Sequence, residues 1–448
     1  MKKSKLYWVF LLASVFFTAQ VWAGGGKDSF KGKTIVLGSF WENYNVKTSK
    51  PVTENDELIL EWRKKAMQEH GFNMEVKQIA DWGNMLETIT TSVMAGRPAA
   101  QAFYVSPDWA MSLYRQKLLA ALNSGKVVDL TTSTPIIGKQ VDYNQDIAKL
   151  FTFGGKQYAI AIGYGASAHD DGVYFNKRLF REAGLDPNLL YDMQKAGTWN
   201  WDSFLDIAKK LTRDRNNSGR IDTYAMPADV SVSILDQLVY SNGANYVVKD
   251  ASGKFVNATG RPEFLEALQF ARRLHTEGIM MPRPEGSAWD WFFPAFTDGH
   301  VAMMMEANWR AGQLMETMAD DWGYVLCPKG PKSANYRTGT DENVIVISSV
   351  YKADEVDAIL AAINFWYMPV TDNWKVGNYN RYRDSRAIDE TLVMTRDPKY
   401  TTFKNWMMIP GLNRGDIAWQ MWWYDGDPAQ LVESVSQNWN ALINDVNK

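Results

Sequence analysis

Short apolar stretches alternate with amphipathic stretches along the first third of the chain. Apolar and β-branched residues predict strands over 34–40, 73–78 and 102–105. Helical periodicity predicts helices over 57–70, with Gly71 as the C-cap, and over 84–95. The order strand, helix, strand, helix, strand is typical of a parallel α/β sheet. Ligands of such sheets bind beyond the carboxyl ends of the strands, so we expect a binding site at that edge.

The same alternation continues through the second region of the chain, where we expect another α/β unit of similar construction. Small residues over 163–172 predict a flexible connection between the two regions. The predicted strands cover 157–162, 173–175, 301–305 and 343–348. The predicted helices cover 177–183, 201–211, 236–241, 262–277 and 353–366.

The first residues have the pattern of a cleavable signal peptide. Three lysines precede an apolar run over 6–19, and Val21 and Ala23 provide the small residues that a signal peptidase reads. The run is too short for a typical membrane span. The alternative to a cleaved signal peptide is an N-terminal anchor that the protein retains. No cysteine lies near the cleavage position, so we expect removal of 1–23, a flexible leader over 24–33, and a periplasmic protein without a lipid anchor.

The composition is that of a soluble globular protein. Charged residues make up 22% of the chain, and the net charge of -3 argues against nucleic acid as a partner. Cys327 is the only cysteine, so the chain cannot form an internal disulfide. Aromatic residues are abundant, with 19 Trp, 20 Tyr and 20 Phe, and several Trp adjoin acidic or amide residues in predicted loops.

Acidic and aromatic residues occur together where the predicted strands of the first region end. Trp41 and Glu42 follow the first strand, Trp82 follows the second, and Asp108 and Trp109 follow the third. Carboxylates accept hydrogen bonds from sugar hydroxyls, and flat rings cover the apolar C–H faces of a sugar. The combination indicates a carbohydrate site at the carboxyl edge of the first sheet.

Further aromatic candidates lie outside this edge. Tyr164 directly follows the predicted strand 157–162, Trp289 and Trp291 flank an aspartate, and Trp422 lies just before an acidic segment. Two rings so close in sequence do not easily enter one core together. We therefore expect at least one ring of the 289/291 pair at the surface or in a cleft.

Five segments resemble, in the same order, the extracellular solute-binding proteins of ABC importers, the branch that includes maltose-binding protein. The segments are GVYFNKRLFREAGLD (172–186), TWNWDSF (198–204), YSNGA (240–244), FTDGHVAM (296–303) and CPKGP (327–331). Each segment alone is a weak signal, but their order is specific. The resemblance implies an α/β, two-lobed periplasmic-binding-protein fold, in which hinge strands join the lobes and the ligand binds between them.

The resemblance also implies lobe boundaries. Lobe one covers 34–162 and 343–372, and lobe two covers 170–338 and 380–448. The chain then crosses between the lobes three times, and ligand binding favours a closed arrangement because the ligand contacts both lobes.

The resemblance separately supports Glu42 and Asp108 and adds Trp309. Glu42 and Asp108 fall where maltose-binding-protein-like receptors place acidic sugar ligands, and Trp309 falls on their stacking aromatic. The chain departs from the family where Ala99 and Ala100 replace an aspartate that the family often has. The resemblance implies a monomeric sugar receptor that delivers its ligand to permease subunits of an ABC importer and needs no cofactor. The abundance of aromatic rings favours an oligosaccharide of two or more units, because each ring can cover one unit.

The sequence leaves two functions open besides that of an importer's sugar receptor. A secreted glycoside-acting enzyme would use paired carboxylates, which sequence alone does not exclude. Against an enzyme, the four histidines show no zinc-ligand spacing, and no nucleophile elbow or phosphate-binding glycine loop occurs. The third possibility is a binding protein that signals to a chemoreceptor or sensor kinase.

One acidic loop has partial calcium-ligand spacing. Asp214, Asn216 and Ser218 provide oxygens at alternate positions, and Asp222 could add another. However, Ala225 occupies the position where a bidentate acid is expected. The alternatives are a structural calcium site and a turn closed by the Asp and Asn side chains themselves.

Overall fold

The computed structural model describes residues 31–122, 143–162, 169–228, 232–371, 373–421 and 427–448. The strands are β1 (Thr34–Ser39), β2 (Asn73–Gln78), β3 (Ala102–Val105), β4 (Thr152–Phe153), β5 (Lys156–Gln157), β6 (His169–Asn176), β7 (Met226–Pro227), β8 (Val247–Lys249), β9 (Phe255–Asn257), β10 (Met280–Met281), β11 (Met303–Ala307), β12 (Trp322–Leu326), β13 (Thr338–Asp341), β14 (Val344–Ile347) and β15 (Thr401–Phe403). The helices are α1 (Glu54–His70), α2 (Met85–Met94), α3 (Pro107–Arg115), α4 (Gln145–Leu150), α5 (Lys177–Glu182), α6 (Leu189–Ala196), α7 (Trp201–Leu211), α8 (Val232–Ser241), α9 (Pro262–Thr276), α10 (Phe292–Thr297), α11 (Arg310–Thr317), α12 (Ala353–Trp366), α13 (Val376–Tyr379), α14 (Val393–Thr395), α15 (Gly415–Met421) and α16 (Pro428–Val446).

Sheet A is formed by β1, β2, β3 and β14, in the order β14-β3-β1-β2. β1 pairs in parallel with β2 and with β3, as the sequence predicts for this region. β14 comes from much later in the chain and pairs antiparallel with β3, with Val344 opposite Val105. All four residues of β14 are buried, which is typical of a strand covered on both faces.

Local signals fix the helix that connects the first two strands. α1 begins at a capping box, in which the Thr53 hydroxyl accepts the N–H of Asp56 and the Asp56 carboxylate accepts the N–H of Thr53. The helix ends at Gly71, whose φ of 70° is a left-handed conformation that favours glycine. The predicted C-cap at Gly71 is therefore confirmed.

Sheet B is built around β6. β11, β12 and β13 all pair antiparallel with β6, and β15 pairs in parallel with β13. This corrects the expectation that the second region has the same construction as the first. The apolar pattern of a strand reports how much of it is buried, but it does not encode the direction of the neighbouring strands.

The predicted strand over 157–162 is wrong for most of its length. Only Lys156–Gln157 forms a strand, in a small hairpin with Thr152–Phe153. Ile160 is fully buried and makes two backbone hydrogen bonds with Ile345, of 3.1 Å and 2.7 Å, without extending the ladder. The apolar pattern here reflects packing against sheet A.

A short connection joins the two sheets. β13 ends at Asp341, which pairs with the first residue of β6, and β14 begins at Val344, which pairs with the last residue of β3. The three peptide units between Asp341 and Val344 span at most about 11 Å. We call the end of sheet A at Val105 and Val344, and the end of sheet B at Asp170 and Asp341, the hinge edges.

Helix length and polarity bear on membrane association. Among the residues that the structure describes, no helix is both long enough and apolar enough to span a membrane.

Candidate functional site

Five aromatic rings form a continuous surface at the hinge edge of sheet A. The Phe40 ring centre lies 4.2 Å from that of Trp41, 4.9 Å from that of Trp82 and 5.4 Å from that of Trp109. Trp82 and Trp109 lie 4.4 Å apart, and Trp41 lies 4.9 Å from Tyr104. Because β1, β2 and β3 are parallel, the residues that follow them meet at one edge. We call these five residues the sheet-A aromatic surface.

Two rings of the sheet-A aromatic surface are open to solvent. Trp82 is 56% exposed and Trp41 is 45% exposed, whereas Trp109 is almost completely buried beneath its neighbours. Exposed indoles are uncommon unless they form a binding surface. Trp109 therefore supports the surface from below, and Trp41 and Trp82 provide its accessible faces.

Glu42 lies beside this surface. The hydroxyl of Ser39 accepts the backbone N–H groups of Trp41 and Glu42, at 3.2 Å and 3.1 Å, and so fixes the turn after β1. Burial raises the pKa of Glu42, and the nearby Arg63 guanidinium partly opposes this shift. A partly desolvated carboxylate of this kind accepts hydrogen bonds strongly.

Asp108 lies in the first turn of α3, directly after β3. The Ser106 hydroxyl donates a short hydrogen bond to the Asp108 carboxylate, and the Ser112 hydroxyl donates to its carbonyl at 2.9 Å. Burial raises the pKa of Asp108, while the hydrogen bond from Ser106 and the charge of Arg414 lower it. Ser106 and backbone N–H groups in the first turn of α3 thus hold the Asp108 carboxylate in place.

Trp309 lies at the hinge edge of sheet B. It follows β11, whose last residue, Ala307, pairs with Asp171 near the start of β6. The N–H of Asn308 donates to the carbonyl of Asp170 at 2.8 Å, which closes the turn before Trp309. Trp309 is 41% exposed, as expected for a platform.

Trp289 and Trp291 have different environments. Trp289 is 70% exposed, whereas Trp291 is buried and belongs to the apolar core around sheet B. The expectation that at least one ring of the pair reaches the surface is met by Trp289. Burial of Trp291 favours a packing role over contact with a ligand.

Two predicted aromatic residues, Tyr164 and Trp422, lie outside the described residues. The predicted first crossing between the lobes also falls mainly on residues outside the described ranges.

Sequence reasoning did not identify Arg310, which contacts both Trp309 and Trp289. Its guanidinium carbon lies 4.2 Å from the ring centre of Trp309 and 5.7 Å from that of Trp289. The available signal was an arginine that directly follows the family's stacking aromatic. A basic residue at the start of a helix usually indicates a solvated face, so the pattern did not point to the site.

A buried charged cluster also lies at the hinge edge of sheet B and was not predicted. The Lys404 ammonium lies 2.9 Å from the Asp171 carboxylate and 2.8 Å from that of Asp341. Arg414 forms an ion pair with Asp236, and its guanidinium carbon lies 3.6 Å from the Trp406 ring centre. Each of these buried charges thus has a close partner of opposite sign, which a charge inside a protein requires.

The loop with calcium-like spacing is closed by its own hydrogen bonds. The Asp214 carboxylate accepts the N–H of Ser218 at 3.0 Å and that of Gly219 at 2.6 Å, and the Asn216 carbonyl accepts the N–H of Ser218 at 2.9 Å. Asp222 pairs with Arg215 at 3.3 Å. Within the described residues, no group of three or more His, Cys, Asp or Glu is arranged to hold a metal ion. The geometry favours the turn, and calcium binding stays untested.

Comparison with known proteins places these features in a family context. Residues 52–369 match the family described as bacterial extracellular solute-binding protein. No protein of curated function matches the chain by sequence. An ABC substrate-binding protein from Listeria monocytogenes in complex with cycloalternan is 20% identical, with 92% of this chain and 100% of that chain covered and a TM-score of 0.63.

Two further solved structures are similar over the same share of the chain. The cyclic alpha-maltosyl-1,6-maltose binding protein from Arthrobacter globiformis is 15% identical, with 92% of this chain and 99% of that chain covered and a TM-score of 0.63. UgpB from Mycobacterium tuberculosis, in complex with glycerophosphocholine, is 16% identical, with 92% of this chain and 98% of that chain covered and a TM-score of 0.65. Their likeness confirms the predicted two-lobed α/β fold. Because the family match extends over well more than half of the sequence, the chain belongs to the bacterial extracellular solute-binding protein family.

Proposed function

We propose that this protein is the substrate-binding component of an ABC importer and that it binds an oligosaccharide between two lobes. Lobe one comprises 34–162 and 343–372, and lobe two comprises 170–338 and 380–448. The ligand bridges the hinge edges, and its contacts with both lobes favour a closed arrangement. No chemistry on the ligand is required.

The observation that carries this proposal is the exposure of indole rings at both hinge edges. Trp41 and Trp82 are exposed on the sheet-A side, and Trp309 is exposed on the sheet-B side. Flat rings cover the C–H faces of sugars, and the carboxylates of Glu42 and Asp108 accept their hydroxyl hydrogens. Several separate rings suit a ligand of two or more sugar units, since each ring covers one unit.

The relatives support a carbohydrate in two cases. The Listeria protein is in complex with cycloalternan, and the Arthrobacter protein is named for a cyclic maltosyl-maltose. The Mycobacterium relative is in complex with glycerophosphocholine, so the fold itself does not select sugars. The aromatic surfaces of this chain are what favour a sugar over a phosphodiester.

Export and partners follow from the same proposal. Membership of an extracellular family implies an exported protein. The basic, apolar and small-residue pattern over 1–23 supports cleavage and release into the periplasm without a lipid anchor. There the protein acts as a monomer, and its closed surface is recognised by the permease subunits of the importer.

Mass spectrometry of ligand released from the purified, non-denatured protein tests the proposal directly. We expect an oligosaccharide, and calorimetry with that sugar should give binding that the Trp41→Ala variant weakens. Tyr351→Ala is a matched control, because this half-buried ring follows β14 at the end of sheet A opposite the hinge edge. Release of a phosphodiester or an amino acid would contradict a sugar receptor, and new reducing ends after incubation with the sugar would indicate a glycoside hydrolase.

A further inference from the structure

The guanidinium group of Arg310 is enclosed by four aromatic rings. Its central carbon lies 4.2 Å from the ring centre of Trp309, 5.2 Å from Phe293, 5.6 Å from Phe292 and 5.7 Å from Trp289. Only 4% of Arg310 is exposed to solvent. A guanidinium is planar and weakly hydrated, so ring faces can replace much of its water.

Hydrogen bonds hold only part of this group. Nη1 donates to the Gln313 side chain at 2.8 Å, and Nε lies 3.8 Å from a carboxylate oxygen of Glu306. Nε is buried and makes no hydrogen bond to the described residues. The rings therefore contribute much of the environment that compensates the buried charge.

Two of the four rings are exposed, and they come from different segments. Trp309 directly precedes α11, whereas Trp289 lies in the connection that leads into α10. Trp309 is 41% exposed and Trp289 is 70% exposed. Exposed indoles in such positions ordinarily sample several rotamers, but here the Arg310 guanidinium contacts a face of each ring.

The shared contact also limits the distance between the two indoles. Since their ring centres lie 4.2 Å and 5.7 Å from one guanidinium carbon, they are at most about 10 Å apart. Neighbouring rings of one oligosaccharide can cover a span of this size. Two indoles held at a fixed separation make a better platform than two mobile ones, because less conformational freedom is lost on binding.

We infer that Arg310 is a positioning residue that holds Trp309 and Trp289 as one two-ring platform, which contacts two successive sugar units of the ligand. The second part rests on the proposed function, because it needs a saccharide in the cleft. The first part concerns the ligand-free protein and stands or fails independently.

Fluorine NMR of protein labelled with 5-fluorotryptophan tests the positioning role without any ligand. Trp289→Phe and Trp309→Phe variants assign the two resonances. We expect Arg310→Met to shift or broaden both resonances together, and Arg310→Lys to have a smaller effect because it keeps the charge. Unchanged resonances in a folded Arg310→Met variant would overturn the inference.

Arg386→Met is the matched control for the NMR experiment. Arg386 also lies over an aromatic ring, that of Tyr191 at 4.8 Å, but this ring is fully buried. The control should leave the Trp289 and Trp309 resonances in place. If it perturbs them as strongly as Arg310→Met does, the effect is a general loosening of the lobe and the inference is wrong.

Calorimetry with glucose, maltose and maltotriose tests the platform. We expect Arg310→Met to weaken maltotriose binding about tenfold and glucose binding by less than about threefold, and to add nothing in a Trp289→Ala/Trp309→Ala background. Equal losses for all three sugars would overturn the two-unit platform. If the unmodified protein binds none of them, the proposed function fails for these sugars, and the fluorine spectra alone decide the role of Arg310.

Discussion

Lys404 and Asp171 form a buried ion pair at the hinge edge of sheet B, with the ammonium 2.9 Å from the carboxylate. Burial by itself lowers the pKa of Lys404, but the charges of Asp171 and Asp341 and the hydrogen bonds to both carboxylates together raise it by more, so that the lysine stays charged. Burial raises the pKa of Asp171, and Lys404 opposes that shift. Each charge is thus tolerated only because the other is present.

Replacing Lys404 with methionine should strongly destabilise the fold. The substitution keeps much of the side-chain volume but leaves the Asp171 carboxylate buried without its partner, and we expect a loss of about 3–5 kcal/mol of unfolding free energy. Urea unfolding followed by circular dichroism measures it. Lys399→Met is the control, because Lys399 is exposed and contacts its sequence neighbours Asp397 and Tyr400. It should change stability by less than about 0.5 kcal/mol.

Glu42→Gln should separate stability from binding. Burial raises the pKa of Glu42 in the folded protein. Ionisation of such a carboxyl destabilises the folded state progressively as the pH rises above the pKa that the group has in the unfolded chain. Glutamine cannot ionise, so we expect the variant to gain stability relative to the unmodified protein between about pH 4 and about pH 7. A constant difference in stability across this range would contradict the assignment.

The same Glu42→Gln variant should bind sugar more weakly. A neutral amide accepts a hydroxyl hydrogen less strongly than a carboxylate, so we expect a loss of about 1 kcal/mol of binding free energy. Calorimetry with the released ligand measures this loss. A variant with higher stability and unchanged affinity would place Glu42 outside the site.

The sequence predicted sheet A well because its signals are local. The three parallel strands and the Gly71 cap of α1 rest on apolar runs, helical periodicity and glycine conformation, all of which act over a few residues. Trp41, Glu42 and Asp108 then followed from the rule that parallel strands bring their carboxyl ends together.

The unpredicted features depend on contacts between distant segments. The antiparallel pairing of β6 with β11 is fixed by tertiary packing, and the apolar pattern of each strand would look the same in either direction. Likewise, Lys404 pairs with Asp171, which lies more than two hundred residues earlier in the chain, and Arg310 at the start of α11 contacts Trp289 in the connection before α10. Burial of a basic side chain runs against its ordinary preference, so composition alone assigns both residues to the surface.

Chelation should leave the melting temperature unchanged. The carboxylate of Asp214 already accepts two backbone N–H groups, and Asp222 is paired with Arg215, so a calcium ion would have to displace these partners. Thermal unfolding with excess EDTA and with added calcium checks this. A higher melting temperature with calcium, lost in Asp214→Asn, would instead assign a structural calcium to the loop.

Trp309→Ala should weaken sugar binding with little effect on the fold. Trp309 is partly exposed at the hinge edge of sheet B, so truncation removes a ligand contact and opens little of the core. The Arg310 guanidinium loses its nearest ring but keeps Phe292, Phe293 and Trp289 within about 6 Å. We expect a loss of about 1–3 kcal/mol of binding free energy, the range for covering one aromatic face. Trp309→Phe keeps a flat ring and should retain most of the affinity, and calorimetry compares the two variants.

Small-angle scattering extends the Trp309 test to closure. If the ligand bridges both hinge edges, adding sugar should reduce the radius of gyration of the unmodified protein. Trp309→Ala removes contacts made only on the sheet-B side, so at a sugar concentration that saturates the unmodified protein the contraction should be smaller. Trp41→Ala should reduce it in the same way from the sheet-A side. If either variant contracts fully while binding more weakly, its ring contacts the ligand before closure, and the contacts that drive closure must come from other residues.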